Sequence, residues 1–110
     1  MAWKRLCAMG DLSEDGLSRF DVDGIAVVAA RVAEECVAFP PLCPHMAEPL
    51  DVSGMCEDGV LTCTKHLWQW DMKTGAEIGM AERKLLRYPT RREGAEVWIE
   101  IERELKYEHG

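Results

Sequence analysis

No run of apolar residues in this chain approaches the roughly eighteen needed to cross a bilayer. The opening Met1-Ala2-Trp3-Lys4-Arg5 carries two basic residues with no apolar stretch behind them, so no export signal is expected. There is no Gly-rich phosphate loop, which argues against a nucleotide site of the chain's own. Repeats and low-complexity tracts are absent. Positive charge is scarce: 13 Lys and Arg stand against 20 Asp and Glu, giving a net charge of −7 and a pI near 4.9. That balance argues against nucleic acid and anionic membranes as partners. It suits docking on basic patches of other proteins, with salt-sensitive association rates, although plain solubility explains it too.

Cysteine is present in odd number: Cys7, Cys36, Cys43, Cys56 and Cys63. An odd set with no export signal points to a reducing, cytoplasmic setting. Cys7, Cys36 and Cys56 have no metal-ligand spacing and read as small buried hydrophobes. At 110 residues the chain is expected to be one domain, 1–110.

The remaining two cysteines fall in a patterned stretch. Cys43-Pro44-His45 is followed by seventeen residues and then Cys63-Thr64-Lys65-His66. Each half offers one thiolate and one imidazole. In a Rieske [2Fe–2S] centre, two thiolates hold one iron and two imidazoles the other. Two loops build that if each gives its Cys to one iron and its His to the second. Charge explains the redox consequence. The oxidised core of two ferric ions and two sulfides carries two positive charges, which two thiolates neutralise; four thiolates would leave a dianion. A neutral cluster accepts an electron more readily, so potentials lie above those of all-cysteine plant-type clusters. A structural zinc site is the competing reading, since two Cys and two His also suit zinc. Zinc fingers, however, usually place both Cys in one knuckle and both His in another. The mixed pairs and the Pro between Cys43 and His45 favour iron–sulfur.

The rest of the chain reads as short strands. Trp3–Cys7 opens, and Leu17–Val22 follows a loop over Asp11–Gly16. Asp23-Gly24 marks a hairpin into Ile25–Ala30. The competing reading for Ala26–Val37 is a helix, given its four alanines; the Asp-Gly turn before it favours strand. Arg31–Glu35 is then a connecting loop into Cys36–Phe39, which Pro40-Pro41 ends. Residues 48–54 read as loop, Asp58-Gly59 as a second hairpin turn, and Val60–Thr62 as the strand leading to Cys63. Leu67–Asp71 leaves the second loop as a strand, Lys73-Thr74-Gly75 turns, Leu85–Tyr88 is a strand stopped by Pro89, and Val97–Ile101 alternates cleanly. A charged tail runs from Glu102 to Gly110. The predicted class is all-β: an antiparallel sandwich or barrel base with a small cluster-binding lobe over about 40–79.

The two loops, with the Lys73-Thr74-Gly75 turn beyond, resemble Rieske-type ferredoxins over most of the chain. The resemblance implies a Rieske iron–sulfur fold with one [2Fe–2S] cluster per chain. Cys43 and Cys63 would hold the inner iron, and His45 and His66 the outer one. High-potential Rieske proteins of respiratory complexes have a further Cys in each loop, joined as a disulfide; Glu48 and Lys65 stand there in this chain. Those proteins also place a hydroxyl residue shortly after the second His, where this chain has Leu67 and Trp68. Fewer hydrogen bonds to the sulfurs imply a potential toward the lower end of the range, on the order of −150 to 0 mV. Many ring-dioxygenase ferredoxins have Gly soon after that His. The run His66-Leu67-Trp68-Gln69-Trp70-Asp71 is more similar to ferredoxins of multicomponent toluene, aromatic and alkene monooxygenases. The implied function is electron transfer, not catalysis: from NADH through a flavin reductase to this chain, and on to a diiron hydroxylase. A dioxygenase ferredoxin and a nitrite reductase small subunit are the rivals in that class.

Trp68 and Trp70 lie two apart and share a strand face. Packing is the first reading for both; for Trp68 the sharper one is an exposed tip that docks the hydroxylase. Met46 and Pro44 are expected to form an apolar collar, with Met46 a second docking candidate. Lys65 reads as a solvated charge, as does His109 in the tail. Glu48, Asp51, Glu57 and Asp58 are expected either to rim the cluster or simply to be solvated loop.

Overall fold

The computed structural model describes residues 3–12, 16–32, 35–42, 49–50, 54–65, 67–79, 81, 83–102 and 104–105. Among these residues ten strands follow one another: β1 (Trp3–Ala8), β2 (Ser18–Val22), β3 (Ile25–Val32), β4 (Glu35–Phe39), β5 (Gly54–Glu57), β6 (Val60–Cys63), β7 (Trp68–Asp71), β8 (Glu77–Ile78), β9 (Thr90–Glu93) and β10 (Glu96–Glu100). They form three antiparallel sheets, ordered β1-β10-β9, β2-β3-β4 and β5-β6-β7-β8. A short 3₁₀ turn lies at Met9–Asp11. No described helix is long and apolar enough to cross a membrane.

Within the β2-β3-β4 sheet, β3 and β4 are buried on both faces, which explains their composition. Val28, Ala30, Val32, Val37 and Phe39 face the β5–β8 sheet, against Leu61, Trp70 and Met72. Val22, Val27, Ala29, Cys36 and Ala38 face the other way, against Leu6, Cys7, Val97 and Ile99 of the β1-β10-β9 sheet. A strand covered on two sides loses its alternation and reads as a continuous apolar run. The alanines at 29, 30 and 38, all fully buried, let both outer layers approach closely. This is why Ala26–Val37 resembled a helix in sequence. It is two strands, and the connection between them is only residues 33–34, shorter than the expected Arg31–Glu35 loop. None of the buried thiols of Cys7, Cys36 and Cys56 is in a disulfide. Cys36 is pushed up in pKa by its hydrogen bond with Cys7, and then by burial.

Both Asp-Gly turns form as expected. Asp23 and Gly24 have φ of 51° and 83°, and Asp58 and Gly59 have 51° and 77°. Two positive values in a two-residue loop match the right-handed twist of the flanking strands. Other expectations need correction. Leu85–Tyr88 is not a strand; only Tyr88 makes an isolated bridge, to Ala38. The segment is a strap across the molecule, held by Leu85 N–H donating to Gly75 O at 3.0 Å and Tyr88 N–H donating to Ala38 O at 2.9 Å. The strand comes after Pro89 instead, as the polar β9 (Thr-Arg-Arg-Glu), which pairs with β10. Its sequence has no apolar alternation because it is a largely exposed edge. Gly54, read as the end of a loop, begins β5. Of the tail, Leu105 packs on the base core and its N–H donates to the Tyr88 hydroxyl at 2.9 Å; residues 106–110 lie outside the described set.

Candidate metal centre

Of the four expected ligands, Cys43, His45 and His66 lie outside the described residues, as do Pro44, Met46, Glu48 and Asp51. Cys63 is described, and it sits where a buried ligand is needed. It ends β6 and is 0% exposed. The ladder places Cys63 opposite Trp68 on β7 and Gly54 on β5, and Cys56, Leu61, Trp68 and Trp70 share its inward face. Among the described residues no group of three His, Cys, Asp or Glu comes together as a metal site.

The feet of both expected ligand loops are well defined. The first loop, 43–48, leaves at Leu42 and returns at Pro49, which form an isolated bridge; Leu50 N–H donates to Pro41 O at 2.7 Å. Leu50 then plugs the core at 0% exposure. The second loop is closed by Leu67 N–H donating to Cys63 O at 2.7 Å. Gly54 brings the two together. A Cβ there would collide with the Leu50 carbonyl oxygen and lie 2.7 Å from Leu17 Cδ1. The foot of the first loop therefore rests on the strand residue paired with Cys63, and only a residue without a side chain permits that approach. Sequence reasoning missed this; a glycine opening a strand just before an apolar hairpin was the available signal.

Trp68 is not at an exposed tip. It is 8% exposed, beside Cys63, with its ring 6.2 Å from that of Trp70 and inclined at 63°. Trp70 is fully buried and its Nε1–H donates to Arg83 O at 2.7 Å. The two tryptophans do share a face, as the spacing predicts; that face is the inner one. The exposed residue is the one before them. Leu67 is 63% exposed and has φ of 60°, in the left-handed region that a leucine rarely adopts. Leu42, 37% exposed, is the apolar residue at the foot of the other loop. Thr64 and Lys65 are exposed, in keeping with a solvated Lys65. Glu57 and Asp58 do not rim this end. They occupy the β5–β6 turn, where Glu57 pairs with Val60, at the opposite end of β6 from Cys63.

Residues 2–89 match the protein family described as Rieske [2Fe-2S] domain. Over 108 residues the chain is 40% identical to the methanesulfonate monooxygenase ferredoxin subunit of Methylosulfonomonas methylovora, covering 98% of this chain and 88% of that one. It is 33% identical over 97 residues to the ferredoxin component of the alkene monooxygenase system of Xanthobacter autotrophicus Py2, covering 88% of this chain and 80% of that one. A solved complex of reduced oxygenase and oxidised ferredoxin in carbazole 1,9a-dioxygenase contains a chain that superposes with a TM-score of 0.79 at 22% identity, covering 94% of this chain and 97% of that one.

Proposed function

The chain belongs to the Rieske [2Fe–2S] family, and from that premise we propose that it is the electron-carrying ferredoxin of a multicomponent monooxygenase. It takes single electrons from an NADH-dependent flavin reductase and delivers them to a diiron hydroxylase. The observation that carries this reading is the pairing at the end of β6: a fully buried Cys63 beneath an exposed apolar Leu67. A buried thiolate is shielded from water, and an exposed leucine four residues on offers a dry contact to a partner. The relatives at 40% and 33% identity serve monooxygenases by name, which supports this partner class over a dioxygenase. The oxygenase, not this chain, holds the substrate.

The donor chemistry fits a Rieske cluster. Cys43 and Cys63 would supply the two thiolates and His45 and His66 the two imidazoles, and the bulk of Trp68 and Leu50 excludes water from the Cys63 side. When bound, the cluster supplies a one-electron couple above that of all-cysteine clusters. The test is the EPR spectrum of the dithionite-reduced protein with an iron and sulfide assay. A rhombic signal with average g below that of all-cysteine ferredoxins is expected. A silent protein containing zinc overturns the reading. Cross-reconstitution with a diiron hydroxylase and a ring dioxygenase then separates the partner classes: faster turnover with the dioxygenase would reject the monooxygenase assignment.

Leu67 takes the docking role that the sequence assigned to Trp68. Holding a leucine at positive φ costs about 1–2 kcal/mol, while a glycine gives the unfolded chain back about 0.4–1 kcal/mol of entropy. Leu67→Gly therefore leaves stability within about 1 kcal/mol of the parent while removing the exposed side chain. We expect its apparent affinity for the hydroxylase to fall roughly 5–10-fold, the equivalent of about 1–1.5 kcal/mol of lost apolar contact, with an unchanged cluster spectrum. Turnover titrations with unaltered half-saturation would remove Leu67 from the interface. Trp68→Ala cannot make this distinction, because it empties the core.

A further inference from the structure

The described surface holds a second feature that the electron-transfer reading does not use. A cavity of about 560 Å³ opens between the start of β4, the strand β9, the strap at Arg87–Pro89 and the turn after β7. Among the described residues its walls carry Lys73, Arg87, Arg91 and Arg92 against one acid, Glu35. In a chain of 13 cations and 20 acids that composition is inverted. The site is also separate from the ligand loops. β7 begins beside Cys63 and runs away from it, so Lys73 lies past the far end of the strand, about 10 Å along.

The cations are held in place by local partners. Arg91 pairs with Glu93 at 3.2 Å and sits 4.7 Å over the Trp3 ring. Arg92 Nε–H donates to Gly94 O at 2.6 Å. Arg87 reaches only a carbonyl, Met72 O, at 3.5 Å. Among the described residues neither Lys73 nor Arg87 has a carboxylate partner, and Glu35 pairs with none of the four cations. Like charges gathered on a concave wall repel one another, and a bound anion relieves that repulsion. Guanidinium groups present forked donors matched to carboxylate and phosphate oxygens. The volume falls in the range of about 300–1,000 Å³ typical of small-ligand sites.

We propose that this cavity binds a small free polyanion bearing phosphate or carboxylate groups, held by Arg87, Lys73, Arg91 and Arg92. The ligand bridges the lobe, through Lys73, to the base, through β9. The proposal does not depend on which oxygenase the chain serves, so either can fail alone. The test is isothermal titration of the oxidised holoprotein with inorganic pyrophosphate, with sodium chloride at matched ionic strength as the reference. We expect one saturable site with Kd below about 1 mM. Arg87→Ala and Lys73→Ala, both at exposed positions, should each weaken it roughly fivefold or more with the cluster spectrum intact. Lys84→Ala, an exposed cation outside the cavity, should leave it unchanged. Heats no larger than those of chloride, or equal weakening by Lys84→Ala, overturn the site. Saturation by a Glu-rich peptide with pyrophosphate silent overturns the free-anion source, and assigns the cations to a partner's acidic segment.

Discussion

Trp70→Ala should cost about 3–5 kcal/mol of stability. For a domain of this size that is a fall in Tm on the order of 15–25 °C, and a large share of the 5–15 kcal/mol available to an ordinary domain. Three contributions converge on this residue. Its ring is fully buried at the centre of the core between the β5–β8 and β2-β3-β4 sheets. It packs edge-on against Trp68, which in turn lies beside Cys63. Its N–H donates to Arg83 O and so anchors the segment that leads into the strap. The alanine variant removes ring volume that neighbours on three sides cannot refill, and it releases the strap from above. Trp70→Phe separates the parts: most of the apolar area stays and only the hydrogen bond goes, so a loss of about 1–3 kcal/mol is expected. Urea denaturation followed by tryptophan fluorescence and by the visible absorption of the cluster measures both. Loss of less than about 1 kcal/mol in Trp70→Ala would mean that the lobe is organised around some other residue.

What could be read from sequence, and what could not, follows from which interactions are local. The Asp23-Gly24 and Asp58-Gly59 turns were legible because two residues alone determine them. The family was legible because metal chemistry restricts residue type and spacing, and residues 2–89 match the Rieske [2Fe–2S] domain. Trp68 and Trp70 were correctly placed on one face, but period-two alternation does not say which face is inner. That depends on β6, β5 and the β2-β3-β4 sheet arriving from elsewhere in the chain. β9 was invisible because its side chains are polar and largely exposed, so no apolar alternation marks it, although it pairs with β10 across a turn of only two residues, 94–95. The strap at 85–88 looked like a strand because Leu85 and Tyr88 are apolar and buried. Its backbone instead bonds to two different sheets' neighbours, Gly75 and Ala38, which no local pattern encodes.

Gly54→Ala should damage the metal centre more than its small size suggests. An added methyl group meets the Leu50 carbonyl oxygen on one side and Leu17 Cδ1, at 2.7 Å, on the other. The leucine side chain can turn away. The carbonyl cannot, because Leu50 is fully buried and its N–H is tied to Pro41 O at 2.7 Å. The strain must therefore move either the foot of the first ligand loop or the strand position paired with Cys63. Overpacking of this kind costs about 1–3 kcal/mol, and here it falls on the relative placement of two loops that would share one cluster. We expect iron content to drop to less than about half and Tm to fall by roughly 5–15 °C. Gly10→Ala is the control: Gly10 lacks a positive φ and a Cβ there meets nothing within 4 Å, so iron content and Tm should match the parent. If Gly54→Ala retains full iron and the parent Tm, Leu50 and its loop can move aside. The close approach would then be incidental, and the two ligand loops would be held together by contacts other than this one.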